Sequence, residues 1–188
     1  MKKVVIFSAL LLASMAAFSQ TWTVDKAHAK AGFSVTHMMI SDVDGNFKNF
    51  DAKITSAKDD FSDAVFEFTA DVNSINTDNE RRDGHLKGPE YFDAAKFGTI
   101  TFKSKSISKV EGKKYKLVGD LTMHGVTKPV TLDLILNGTG VNRDKKKIAG
   151  FKATGELKRT DFGVGAAAPA AILSEEIGIR VNGEFVQN

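Results

Sequence analysis

Residues 115–136 read YKLVGDLTMHGVTKPVTLDLIL. In the first half the odd positions are Tyr115, Leu117, Gly119, Leu121 and Met123, and the even ones include Lys116, Asp120 and Thr122. In the second half Val130, Leu132, Leu134 and Leu136 fall on even positions, against Thr131 and Asp133. A period of two with one apolar and one wet face is the pattern of a half-buried strand. It suits antiparallel sheet, which can leave one face in water. Between the halves, Gly125-Val126-Thr127-Lys128-Pro129 reads as a connecting loop.

The same alternation recurs outward from this stretch. Ala29, Ala31, Phe33, Val35 and His37 share one face of 29–37, and Phe66, Phe68, Ala70 and Val72 share one face of 65–72. Phe151 and Ala153 lie on the apolar side of 149–157, and Ile179 and Phe185 on that of 177–185. Shorter strands are expected near 22–24, 47–55 and 99–107. Turn residues at Glu111-Gly112-Lys113 and from Gly140 to Lys147 separate several of them. About eight or nine regularly spaced strands predict an all-β sandwich or barrel. Closure would remove exposed edges, and a barrel of about eight strands is either filled by side chains or holds one small ligand.

Two stretches break the alternation. In 74–98, Thr77 with Glu80 matches a capping box and predicts a short helix from about Asp78 to Leu86, ended by Gly88-Pro89. Residues 163–176 are a small-residue loop with at most one helical turn. The aromatics Phe33, Phe66, Phe68, Phe102, Phe151 and Phe185 alternate with Ala31, Gly119, Ala153, Gly155 and Gly183. For any single Phe a packed core is the better reading. Together, small inward side chains among large ones predict volume for an apolar ligand, since interiors do not keep large voids.

Lys2 and Lys3 precede an apolar run from Val4 to Leu12 and small residues through Ala17. This is a secretory signal pattern, too short for a membrane span, and it divides the chain into a leader at 1–19 and one domain at 20–188. The formal net charge of +3 drops to +1 without those two lysines, and the remaining charges are dispersed, which argues against a nucleic-acid partner. There are no cysteines, so thiol catalysis and disulfides are excluded. One Trp, two Tyr and many charges on the strands' wet faces speak against an outer-membrane barrel.

The four histidines are His28, His37, His85 and His124. His28 and His37 would lie roughly 30 Å apart if extended and on opposite faces, so no shared metal is expected. His37 reads as capping a strand end and His124 as a turn residue, although either could serve as a base in a barrel isomerase or hydrolase on an apolar substrate. No serine lies in a nucleophile elbow. Asp42-Val43-Asp44-Gly45 has its glycine misplaced for a calcium loop, with Lys53 where the last ligand belongs.

Trp22-Thr-Val-Asp25-Lys-Ala-His28, Phe33-Ser-Val-Thr-His37, Arg82-Asp83-Gly-His85-Leu86, Leu121-Thr-Met-His124-Gly-Val-Thr-Lys-Pro129-Val and Arg159-Thr-Asp161-Phe-Gly163 resemble, in order and spacing, the YceI-like family of exported bacterial proteins. The resemblance spans essentially all of 20–188. Thr160 stands where the pattern has serine, and Gly98-Thr99 where proline often precedes the next strand. It implies a lipocalin-like antiparallel β-barrel of about eight strands with a helix-and-loop insertion and an elongated apolar cavity. It further implies a periplasmic protein, not an enzyme, that binds a long-chain lipid, a polyisoprenoid, isoprenoid quinone or fatty-chain compound, for transport or storage.

On that basis Phe33, Val35, Phe66, Phe68, Phe102, Leu121 and Phe151 are expected to line the tail's path, with His37, Arg82 and Asp83 at the mouth. The alternative reading, of equal weight, makes Arg82 and Asp83 a bracket for their own loop. No cofactor or metal is expected, nor stable membrane insertion; a homodimer is a possible assembly.

Overall fold

The computed structural model describes residues 19–188. The expected leader lies outside the described residues except for Ser19. The strands are β1 (Gln20–His37), β2 (Ser41–Phe47), β3 (Phe50–Ser56), β4 (Val65–Asp71), β5 (Ile75–Asn76), β6 (Thr99–Glu111), β7 (Lys114–Met123), β8 (Val126–Val141), β9 (Lys147–Lys158) and β10 (Leu173–Gln187). The helix α1 (Glu80–Leu86) lies between β5 and β6. All pairings are antiparallel. They run β1-β3-β4-β6-β7-β8-β9-β10, and β10 returns to β1, closing a barrel of eight strands.

β1 makes closure possible. Its whole length pairs with β10 on one side, while on the other its start pairs with β3 and its end with β2. Sequence alone separates 22–24 from 29–37; the structure joins them through a bulge between Asp25 and Ala29. Four residues of β1 there span one step of β10, so three are extra. An odd insertion flips side-chain parity. Trp22 and Val24 therefore face the same interior as Ala29, Ala31 and Phe33. The expected strand at 47–55 is β3, which starts at Phe50; Phe47 instead ends a separate strand, β2, that alternation did not mark. Asp42-Val-Asp-Gly has poor strand propensity, and only the long partner β1 makes it one. Likewise 125–129 is no loop. His124 and Gly125 alone turn the chain, both with positive φ (51° and 74°), and Pro129 pairs opposite Asp120 inside β8. Two such residues form the hairpin turn that matches strand twist.

The outer face is charged. Lys53, Glu67 and Lys103 sit side by side on β3, β4 and β6, with Nζ–Oε distances of 2.7 and 2.9 Å to Glu67. Lys105–Asp120 and Lys116–Asp133 continue the pattern. A membrane-spanning barrel presents the opposite face. Among the described residues no helix is long and apolar enough to cross a membrane.

Hydrogen bonds from Lys53 and Lys103 hold the Glu67 carboxyl below its ordinary value. The unfolded chain therefore binds a proton at a pH where the folded chain does not. The contribution is present above the unfolded pKa and is lost as pH falls through the depressed folded one. In denaturant titrations, Glu67→Gln is expected to flatten the loss of stability between about pH 5 and pH 3, around the ordinary glutamate pKa. Parallel pH curves for the two proteins would refute this role.

Candidate functional site

One end of the barrel is sealed by aromatics. Phe61, from the loop between β3 and β4, is 1% exposed and takes a left-handed φ of 57°. Its ring meets Trp22 edge-on at 5.2 Å and Phe151 at 5.0 Å; Phe151 in turn meets Phe66 at 5.3 Å and Phe185 at 5.9 Å. Ser56 Oγ donates to Asp63 at 2.6 Å and Ala57 N donates to the same carboxylate at 3.0 Å, which closes the loop over the plug. Tyr115 adds its hydroxyl, donated to the carbonyl of Asp60 at 2.6 Å.

Above the plug lies a cavity of about 420 Å³. That is far more than the 10–15 Å³ or so that one water needs. Phe33, Val35, Phe66, Phe68, Phe102, Leu121 and Phe151 all border it. Phe66 and Phe151 form its floor with the plug, and Phe33, Val35, Phe68 and Leu121 stand on the wall. Of the small residues, Ala31, Ala153 and Gly183 reach the cavity. Gly119 and Gly155 do not add volume. A Cβ on Gly119 would lie 2.5 Å from the Phe102 ring, and one on Gly155 2.6 Å from Leu132. Their neighbours' side chains occupy the room these glycines leave, which alternation by itself does not reveal.

The insertion 72–98 lies over the opposite end, where the cavity opens. Thr77, Arg82, His85, Leu86, Tyr91 and Phe92 reach its lining. The helix there is capped by Asn79, whose side chain accepts from Arg82 N at 3.0 Å. The expected capping box fails because Thr77 is used elsewhere. Asp83 accepts from Thr77 N at 2.8 Å and from Thr77 Oγ1 at 2.6 Å, while Arg82 Nε donates to Thr77 Oγ1 and Nη2 to its carbonyl at 2.8 and 2.7 Å. Asp83 is thus buried in the loop and does not line the cavity, which corrects its placement at the mouth. Arg82 does both jobs. It braces Thr77 and borders the cavity, and among the described residues its Nη1 meets no protein acceptor.

His37 is exposed at the rim, at the end of β1. His85 packs edge-on to Tyr91 at 4.9 Å and lies 3.1 Å from Glu90. His124 is not on the cavity wall: its Nδ1 lies 3.1 Å from the carbonyl of Phe162, and its ring packs against Phe97 at 4.8 Å. His28 is on the outer face, in the β1 bulge. There Asp25, His28 and Glu184 gather within 4.8 Å, away from the cavity.

The residue that sequence reasoning passed over is Arg159, which is 1% exposed. It begins the 3-10 turn Arg159–Phe162 and borders the cavity. Nε donates to the carbonyl of Ser174 at 3.0 Å, Nη1 to those of Val164 and Gly165, and Nη2 to those of Ala168 and Leu173 at 2.8 and 3.0 Å. Five guanidinium hydrogens meet five carbonyls, so the loop 163–174 is wound around this one side chain. Its presence in Arg-Thr-Asp-Phe-Gly was visible in the sequence; its burial was not.

A family described as the YceI-like domain matches residues 22–185. The chain belongs to the YceI-like family. It is 36% identical over 183 residues to Protein YceI of Salmonella agona (strain SL483), covering 96% of this chain and 94% of that one. It is 34% identical over 169 residues to UPF0312 protein SAS2572 of Staphylococcus aureus (strain MSSA476), covering 87% and 96%. Among solved structures, this YceI-like barrel resembles Burkholderia cenocepacia BcnA, with a TM-score of 0.78 and 25% identity over 86% of this chain and 98% of that one. The Campylobacter jejuni YceI protein gives 0.75 and 34%, over 81% and 90%. A polyisoprenoid binding domain from Saccharophagus degradans shares the fold, with a TM-score of 0.63 and 14% identity over 89% and 98%.

Proposed function

We propose that this protein is an exported, periplasmic carrier that holds one long-chain lipid in the barrel, for transport or storage. The observation that carries this reading is a large, almost wholly apolar cavity sealed by aromatics at one end and open at the other. An apolar tail removed from water gains about 25 cal/mol per Å², and a tube of this shape suits a chain. The polar groups that border the cavity near its mouth include the basic side chains His37, Arg82, His85 and Arg159, beside Thr77 and Tyr91. Glu67 also borders it, but its carboxylate is paired with lysines on the outer face. Arg82 Nη1, without a protein acceptor, suits a carbonyl, phosphate or other anionic head. A polyisoprenoid, an isoprenoid quinone and a fatty-chain compound all meet these requirements, and the polyisoprenoid finds support in the fold shared with the polyisoprenoid binding domain from Saccharophagus degradans. A binding role is favoured over a barrel isomerase or hydrolase, because His124 is held outside the cavity and, among the described residues, no nucleophile is hydrogen-bonded to His37.

Native mass spectrometry and lipid extraction of protein purified from its own cell envelope test this reading. A long-chain lipid at about one per chain is expected. Ala153 borders the cavity between Leu134 and Val181, so Ala153→Trp is expected to fill the path and eliminate bound lipid while the β-sheet circular dichroism is kept. Protein that repeatedly carries no lipid, or Ala153→Trp with unchanged lipid, would defeat the proposal.

A further inference from the structure

Among the described residues seven large apolar side chains are exposed, and four of them, Met38, Met39, Ile40 and Ile172, gather at the cavity mouth, 49%, 69%, 82% and 46% exposed. The first three form the turn between β1 and β2. The fourth ends the loop wound around Arg159, and Met38 N donates to its carbonyl at 2.9 Å, which joins the two loops. Ala166, Ala167, Pro169, Ala170 and Ala171 extend the apolar surface, all exposed. Ile172 also lines the cavity, so tip and cavity form one continuous apolar path.

The turn itself is unusual. Ile40 N donates to the carbonyl of His37 at 3.1 Å, and Met38 and Met39 between them have φ of 51° and 57°. A turn whose two central residues are both left-handed ordinarily carries Asn-Gly or Asp-Gly there. Large side chains there are strained, and exposing them in water adds no burial. Stability selects neither feature, which points to a function for the side chains. No lysine or arginine lies in 37–41 or 163–174, and the flanking Asp42, Glu175 and Glu176 are acidic. Such a surface does not match an anionic one.

We propose that the tip formed by Met38, Met39, Ile40 and the 166–172 loop inserts into the surface of a zwitterionic lipid bilayer, so that cargo passes between bilayer and cavity without crossing water. This rests on the carrier function above. Bilayer docking follows from the apolar side chains alone, and its salt dependence is therefore weak, unlike that of polybasic surface binding.

The test is flotation of the full-length mature protein with phosphatidylcholine vesicles, with and without added phosphatidylglycerol, at low and high salt. Binding to phosphatidylcholine that survives salt and does not increase with phosphatidylglycerol is expected. Met39→Asp with Ile40→Asp is expected to lower the partition coefficient by about tenfold or more, since two exposed apolar side chains are replaced by charges. Met38→Asn with Met39→Gly gives the turn its preferred residues. It should raise the melting temperature and still weaken docking, which separates loss of docking from loss of fold. Unchanged vesicle binding by both variants, binding that requires phosphatidylglycerol, or a tip-dependent dimer without vesicle binding would overturn the proposal. Co-purified lipid is measured in the same samples. Lipid retained with no vesicle binding refutes the docking tip and keeps the carrier; vesicle binding without lipid refutes the carrier.

Discussion

Replacing Arg159 by leucine is expected to cost the fold about 3–5 kcal/mol, the range for removing one partner from a buried charged network. The guanidinium is almost fully buried and is bonded to carbonyls alone, from Val164, Gly165, Ala168, Leu173 and Ser174. Their dipoles replace the water that solvated the charge, and the charge in turn satisfies acceptors that a small-residue loop with few side chains of its own could not satisfy. Leucine fills a similar volume but leaves five acceptors without donors. Lysine keeps the charge but has three donors on one point. Arg159→Lys is therefore expected to lose about 2–3 kcal/mol, roughly the value of two or three charged hydrogen bonds after partial resolvation. Urea denaturation measures both losses. Limited proteolysis adds a local readout, with cleavage within 166–171 expected in Arg159→Leu well below its unfolding midpoint. A loss under about 1 kcal/mol for Arg159→Leu, within the range of ordinary surface substitutions and their neighbours, would show that the loop holds without its staple.

Phe61→Ala is the second large effect. A buried Phe→Ala change costs about 3–5 kcal/mol, combining lost transfer free energy with a residual cavity. Here the neighbours are Trp22 and Phe151, themselves fixed by strands, so the site cannot collapse easily. For a domain of this size each kcal/mol moves the melting temperature by about 2–4 °C, so a fall of about 10 °C is expected. A packing role alone ends there. The plug has a second expected consequence: Phe61 backs the floor formed by Phe66 and Phe151, and its removal is expected to loosen that end of the cavity. The variant is expected to exchange a bound fluorescent fatty acid faster than the native protein at equal temperature, while Phe61→Leu keeps slow exchange with a smaller loss of stability. Unaltered exchange in Phe61→Ala would mean that the floor formed by Phe66 and Phe151 seals the barrel by itself.

Both residues show where sequence reading stops. Phe61 lies in a polar run, Lys-Asp-Asp-Phe-Ser-Asp, with no periodicity to mark it as buried. It enters the core because a short loop with its own Asp63–Ser56 cap folds over the end of a barrel that the strands have already closed. Arg159 belongs to a residue type that is rarely fully buried, so nothing local sets it apart. Asp83 reads as polar and therefore near the mouth, yet it was drawn inward by Thr77. The cavity wall was far more legible. Alternation put Phe33, Val35, Phe68 and Leu121 on apolar strand faces, because in a strand every second side chain faces the same way, and the family resemblance turned those faces, with Phe102, into an expected cavity wall.

The sequence by itself determined the all-β class, most of the strands, which face of each is buried, and membership of a barrel family, since each rests on local periodicity or on motifs read in order. Tertiary structure decided the rest. It set the three-residue bulge that keeps both halves of β1 in phase and made β2 a strand against β1. It also gave the room beside Gly119 and Gly155 to neighbouring side chains, and enclosed Arg159 in carbonyls. These depend on contacts between residues far apart in the chain, whose energies exist only once the barrel has closed.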